Sequence, residues 1–408
     1  MPPLFLKKRT ELTLRTGIDT WLTRPPDNRR YGLVAHPASM TGDARHSVDA
    51  LLEHGTQVIR AFGPQHGMRG DKQDNMIESE DYEDPLTGLP VISLYGKHRR
   101  PTSDMLAGLD AILFDLQDIG TRIYTFITTL TYLLEACSGT DTSVIVLDRP
   151  NPSGRSVDGL RLLPGHESFV GCDTLPMRHG LTVGELARWY VKRHNLNVDL
   201  SIEVMSNYNL AGPDFGWPAE LPWVNPSPNA AGVNMARCFA GTVLLEGTQL
   251  SEGRGTTVPL EVLGAPDLAV RDLVAIVTSE MPSWVAGCLL RPCYFEPTFH
   301  KHVGALCQGL QIHAVPPHHD PNGFVPYRLV AGLLRALRTI EPDYDLWRHH
   351  AYEYEPDRLP IDVINGSERL RQWVDGDMPW AQMEEWVQED VASWCDERAP
   401  YMLYSPPQ

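Results

Sequence analysis

Five short apolar runs recur through the first 150 residues: YGLVAHP from Tyr31, QVIRAFGP from Gln57, LPVISLYG from Leu89, DAILFDLQD from Asp110 and SVIVLDRP from Ser143. Each is rich in Val, Ile, Leu or Phe, as expected of strands buried on both faces of a parallel sheet. The segments between them, ARHSVDALLEHG, PTSDMLAGL and TRIYTFITTLTYLLEAC, are predicted crossover helices. Regular alternation of strand and helix predicts a doubly wound, Rossmann-like sheet. From about Asn151 the alternation stops and Pro and Gly become frequent. GTVLLEGT, PLEVLGAP and LQIHAV read as strands there. TVGELARWYVKRH, PDLAVRDLVAIVTSEM, YRLVAGLLRALRTI and the Trp-rich MPWAQMEEWVQEDVASWCDE read as amphipathic helices. The predicted fold class is α/β: a Rossmann-like parallel-sheet domain over 1–154, then a smaller α+β domain over 155–408.

At 408 residues the chain exceeds what one hydrophobic core usually supports, in keeping with two domains. Acidic residues outnumber basic ones, 52 to 35, for a formal charge of -17. That charge repels a phosphate backbone or an anionic membrane surface, so neither nucleic acid nor membrane is an expected partner. No uncharged run approaches a membrane span, and charges from Lys7 onward interrupt any signal-peptide core. Seven cysteines, an odd number with no CxxC pair, point to reduced thiols and a cytoplasmic address. The histidines of HAVPPHHDPNG and HGLT lack HExxH spacing, no GxGxxG follows the first strand, and EGRG is not a phosphate loop. No metal and no other cofactor is expected.

Polar side chains gather where the predicted strands end: His36, then Gln65 and His66, then Tyr95, then Asp115 and Asp118, then Asp148, Arg149 and Asn151. Singly, such residues cap helices and satisfy loops. As a set they predict the floor of a crevice, because ligands of open α/β sheets bind at the carboxyl ends of the strands. A second concentration, TVLLEGTQLSEGRGTT, holds Glu246, Glu252 and Arg254 among glycines and hydroxyls. A third, WVNPSPNAAG, sets Asn225, Ser227 and Asn229 between prolines, which suits either hydroxyl or acetamido recognition or a structural turn.

The blocks FGPQHGMRGDKQDN, TGLPVISLYG, DLQDIGTRIYTF, VLDRPNPSG, SFVG, PMRHGLTVGELA, WVNPSPN, LLEGTQLSEGRGTT and GAPD occur, in this order, between about Tyr31 and Lys301. In this the chain resembles the exo-β-N-acetylmuramidases of NamZ type. The resemblance implies a Rossmann-like domain joined to a smaller α+β domain with the active site in the cleft between them. It implies hydrolysis of the β-1,4 bond that releases a non-reducing terminal N-acetylmuramic acid (MurNAc) from peptidoglycan fragments, as in cell-wall recycling. The expected partner is a muropeptide or a MurNAc-containing disaccharide.

The family motif is usually PEHG, its glutamate the favoured catalytic carboxylate, whereas here the position is Gln65. An amide has no proton to give, so either the chain binds muropeptides without cleaving them, as a sensor does, or another carboxylate does the work. The loop DNMIESEDYEDP offers Asp74, Glu78, Glu80, Asp81, Glu83 and Asp84, of which Glu78 is the first choice. The expected catalytic residues are Glu78, Asp118, Glu246 and His66, with Asp118 orienting the sugar's acetamido N–H and Glu78 or Glu246 giving the proton. Gln65, Tyr95, Arg122, Tyr124, Asn229, Glu252 and Arg254 are expected to bind substrate. Arg122 or Arg254 is expected to pair with the lactyl carboxylate of MurNAc, since a guanidinium fork matches carboxylate geometry.

Overall fold

The computed structural model describes residues 14–70, 78–209 and 216–404. The five apolar runs become β1 (Arg30–Ala35), β2 (Gln57–Gly63), β4 (Pro90–Ser93), β5 (Ala111–Asp115) and β6 (Ser143–Leu147) of one sheet, with a two-residue β3 (Tyr82–Glu83) antiparallel on its edge. An antiparallel pair, β7 (Asp158–Arg161) and β8 (Pro176–Arg178), follows, and then β9 (Leu200–Glu203) returns to the sheet beside β6. The sheet order is β3-β4-β2-β1-β5-β6-β9. Without β3, the parallel strands stand third, second, first, fourth, fifth, sixth in chain order, the doubly wound arrangement of dinucleotide folds. Alternate side chains serve opposite faces: Ile112 and Phe114 pack with Ile127 and Leu130 of the helix Phe126–Cys137, and Leu113 packs with Val48 and Leu51 of the helix Ser47–His54. Because β9 pairs with β6, the sheet layer takes in residues beyond 154, as far as Glu203.

The second half builds an antiparallel sheet, β10 (Val262–Ala265), β11 (Leu289–Phe295) and β12 (Cys307–His313), in the order β10-β12-β11. The helices Val270–Glu280 and Pro326–Ile340 pack on each other beside it. GTVLLEGT is not a strand. Val243–Gly247 is a 3-10 turn continuing the helix Val233–Thr242, and Val243, Leu244 and Leu245 are buried without a period that separates strand from buried helix. The last helix, Trp380–Arg398, packs by its tryptophans: Trp380 lies 5.5 Å from Trp373, and Trp394 lies 5.1 Å from Trp189, ring centre to ring centre. A single hydrophobic cluster runs from Phe114 through Leu160 and Leu244 to Trp373, so the two halves share a core.

The usual ligand crevice of this strand order lies between the ends of β1 and β5. Here it is filled. His36 Nε2 accepts a 2.7 Å bond from the Gln117 backbone N–H, and its ring lies 4.6 Å from Phe126. Burial, aided by the Arg149 charge, pushes the imidazole well below its ordinary pKa, which suits a neutral acceptor. The open space is displaced toward the end of β2.

Candidate active site

At the end of β2 the chain turns through Pro64 to Gly67, with a 2.9 Å bond from the Gly67 N–H to the Pro64 carbonyl and left-handed backbone at His66 (φ 72°) and Gly67 (φ 77°). This turn delivers Gln65 and His66 to a cavity between the sheet layer and the second half of the chain, with Tyr124 on the sheet side and Asn229, Glu246 and Arg254 facing them. Its lining mixes apolar and aromatic side chains with a few polar ones, the usual make-up of a small-molecule site. The Gln65 carbonyl accepts a 2.9 Å bond from the Thr125 hydroxyl, which aims its amide nitrogen at Glu353 Oε1, 3.5 Å away.

Glu353 was not among the residues expected from sequence. It sits at the tip of a tight hairpin in which Tyr352 and Glu355 exchange backbone bonds of 3.2 and 2.9 Å. The two residues between are both left-handed, Glu353 at φ 44° and Tyr354 at φ 71°. Such turns ordinarily take Asn-Gly, and non-glycine residues held there cost about 1–3 kcal/mol each. Side-chain contacts hold the strained turn. The Tyr352 hydroxyl donates to Glu246 at 2.6 Å, the Tyr95 hydroxyl donates to Glu353 Oε2 at 3.0 Å, and the Tyr354 ring carries the Arg99 guanidinium 3.7 Å from its centre. Glu353 is 6% exposed, and burial pushes its carboxyl up to about 7. The nearby Glu246 charge pushes the same way, whereas the bonds from Tyr95 and Gln65 and the Arg99 charge hold it down. A carboxyl that is partly protonated near neutrality and open to a cavity has the properties of a general acid.

Glu246 has the opposite setting. Arg254 Nη2 donates to one oxygen at 2.6 Å and Tyr352 to the other. Arg254 Nε in turn meets Glu252 at 3.0 Å, and Lys301 Nζ meets the second Glu252 oxygen at 2.6 Å. Burial alone raises the Glu252 carboxyl, but Lys301 and Arg254 outweigh it and hold the group down at about 2. The site thus pairs a buried carboxyl raised to about 7 with a second carboxyl group held by an arginine and a tyrosine hydroxyl. A second lobe continues past Arg254 to His300, Arg348 and His350. Arg348 has no ion-pair partner among the described residues, and its charge lowers the pKa of both histidines, burial being the larger cause.

Several expected site residues lie elsewhere. Arg122 is fully buried and donates to the carbonyls of Leu160, Leu175, Ile364 and Asn365 at 2.7–3.0 Å, so it ties backbone together and cannot reach a ligand. Asp118 accepts from the Gly120 N–H at 2.6 Å, lies beside His179 and does not line the cavity. Glu78 is exposed, accepts a 3.5 Å bond from the Tyr354 hydroxyl, and stands outside the hairpin whose tip Glu353 occupies. Asp74 lies outside the described residues. Tyr95 serves Glu353 rather than the open cavity, whereas Glu252 lines the second lobe and is engaged there by Arg254 and Lys301. Of the other strand-end groups, Asp115 pairs with Arg149 at 2.6 Å, Asp148 accepts from Thr182, Gly184 and Tyr404, and Asn151 bonds the Leu181 carbonyl. They close the structure rather than line a crevice. No cluster of three His, Cys, Asp or Glu side chains able to hold a metal occurs among the described residues.

Two family models match: exo-β-N-acetylmuramidase NamZ, N-terminal, over residues 31–234, and exo-β-N-acetylmuramidase NamZ, C-terminal, over 237–404. Over 339 residues, 81% of this chain and 78% of the relative, it is 39% identical to the peptidoglycan β-N-acetylmuramidase NamZ of Bacillus subtilis (strain 168). Crystal structures of two DUF1343 family proteins from Bacteroides fragilis NCTC 9343 superpose with TM-scores of 0.83 and 0.73, each at 26% identity, covering 97% of this chain and 100% of theirs. The chain therefore belongs to the exo-β-N-acetylmuramidase NamZ family of glycoside hydrolases.

Proposed function

We propose that this protein is an exo-acting hydrolase that releases the non-reducing terminal MurNAc from peptidoglycan fragments, with Glu353 as the proton donor. The observation that carries the reading is the Glu353 carboxyl, poised near neutrality beside Gln65, where the family's usual glutamate is missing. Glycoside hydrolysis needs a proton for the leaving oxygen and negative charge near the developing oxocarbenium ion. Glu353 gives its proton to the glycosidic oxygen as the bond to the sugar C1 breaks, Glu246, held by Arg254 and Tyr352, faces the positive charge that develops, and water then bonds to C1 and returns a proton to Glu353. Phe126, Met235 and Phe239 give the cavity an apolar lining. Ser227 and Asn229, which also line it, suit the hydroxyl and acetamido groups of the sugar.

The lactyl carboxylate then falls to the second lobe. Arg254 already serves two carboxylates, so the uncommitted charge is Arg348. Losing a charge-assisted hydrogen bond costs about 1.5–3 kcal/mol, so Arg348→Ala is expected to weaken MurNAc binding roughly tenfold to a hundredfold while GlcNAc binding barely changes. Equal losses for the two sugars, measured by calorimetry, remove Arg348 from this role. A cytoplasmic address, and with it a part in recycling wall fragments, is supported by seven unpaired cysteines. Among the described residues no helix is long and apolar enough to cross a membrane.

Gln65 favours a second reading, a muropeptide-binding protein that has lost the chemistry. Turnover of a chromogenic β-MurNAc glycoside separates the two: release of MurNAc supports the hydrolase, and tight binding without release supports the sensor.

A further inference from the structure

Glu353 borders both lobes of the cavity described above and, besides them, a groove. On one side lies the cavity of Gln65 and Glu246, and on the other the groove, of about 700 Å³ open volume, walled by Arg99, Arg100, Tyr132, Phe169 and Tyr354. The groove is aromatic, with Phe169 lying 6.0 Å from Tyr354 and 6.3 Å from Tyr132, centre to centre. It also holds two arginines, set among the carboxyl groups of Glu135, Glu167, Glu353 and Glu355. Arg99 lies 3.7 Å over Tyr354 and Arg100 lies 3.6 Å over Tyr132. Arg100 is paired with Glu135, whereas Arg99 has no ion-pair partner among the described residues. An arginine capping an exposed ring is often no more than local packing. Tyr354 argues for more, because it is 41% exposed yet held in a left-handed conformation that a plain turn would give to Asn or Gly.

We propose that this groove binds the leaving side of the substrate: the saccharide chain beyond the bond to be cleaved, its sugar rings against Tyr132, Phe169 and Tyr354 and its carboxylates toward Arg99 and Arg100. A glycosidic bond that joins a sugar in the inner cavity to one in the groove places its oxygen at their common wall, where Glu353 stands. Planar rings and guanidinium forks are the groups that grip a chain of rings bearing carboxylates. The inference rests on the hydrolase reading given above.

The test uses binding, so that it does not depend on turnover. Glu353→Gln protein is titrated calorimetrically with MurNAc and with an alternating MurNAc–GlcNAc tetrasaccharide whose non-reducing end is MurNAc. Adding Tyr132→Ala or Arg100→Ala is expected to weaken the tetrasaccharide about tenfold and MurNAc by less than about twofold. Arg100 is on the surface, so its variant decides the matter should Tyr132→Ala fold poorly. Equal weakening of both ligands, or none of either, overturns the groove. Failure of the hydrolase reading looks different: the wild-type protein then releases no MurNAc from the tetrasaccharide, while the ratio of the two affinities still reports on the groove.

Discussion

Replacing Glu353 by Gln is expected to lower kcat on a MurNAc–GlcNAc disaccharide about 10²- to 10⁴-fold, the usual contribution of a positioned general acid. The amide keeps the shape and still accepts from Tyr95, but it has no proton for the leaving oxygen. A dinitrophenyl glycoside, whose leaving group departs without a proton, is expected to lose far less. The same variant has a stability signature. Glu353 is raised from an ordinary 4.5 to about 7 in the folded chain, so the fold favours its protonated form. Its contribution to stability is therefore fully present below about 4.5 and lost as pH rises through about 7, a difference of about 3 kcal/mol at 1.36 kcal/mol per pKa unit. Urea denaturation across this range should show that loss in the wild type, and Glu353→Gln should lack it.

The second large effect belongs to Arg122→Ala, and it falls on folding. The Arg122 guanidinium holds two carbonyls from the β7–β8 region, Leu160 and Leu175, and two from the end of the helix Pro360–Asn365. Truncation leaves four buried acceptors and a cavity, so a loss of about 3–5 kcal/mol is expected. MurNAc preference per folded molecule should stay as it was. Unchanged denaturation midpoints together with a loss of discrimination between MurNAc and GlcNAc would return Arg122 to the site.

The contrast between these two residues shows what the sequence reveals. Strands buried on both faces announce themselves as uninterrupted Val, Ile, Leu and Phe, so β1, β2, β4, β5 and β6 are legible. β9 is not, because LSIE carries only four residues, of which just Glu203 is buried. Glu246 and Arg254 stand out because charges amid glycines and an apolar run need a reason. Arg122 shares that signal for a different cause, since an arginine that binds four carbonyls looks in sequence like one that binds a ligand. Glu353 gives no sign of itself. YEYEP has neither hydrophobic period nor the Asn-Gly of a tight turn, and the residues that make its carboxyl special, Gln65, Tyr95 and Glu246, lie far away in the chain. Gln65 was legible only as a departure from a motif. In the fold another carboxyl stands 3.5 Å from its amide.

The central claim, that Glu353 supplies the missing proton, is tested most directly by the pH dependence of kcat/KM on a disaccharide with a poor leaving group. This quantity reports the free enzyme, and an acid must hold its proton, so wild-type activity should fall about tenfold per unit above a pKa near 7. Tyr95→Phe removes a hydrogen bond that lowers this pKa and should move the falling limb upward, and in Glu353→Gln the limb should vanish from the residual activity. A limb that persists at the same pH in Glu353→Gln would contradict the account and assign the proton to another group.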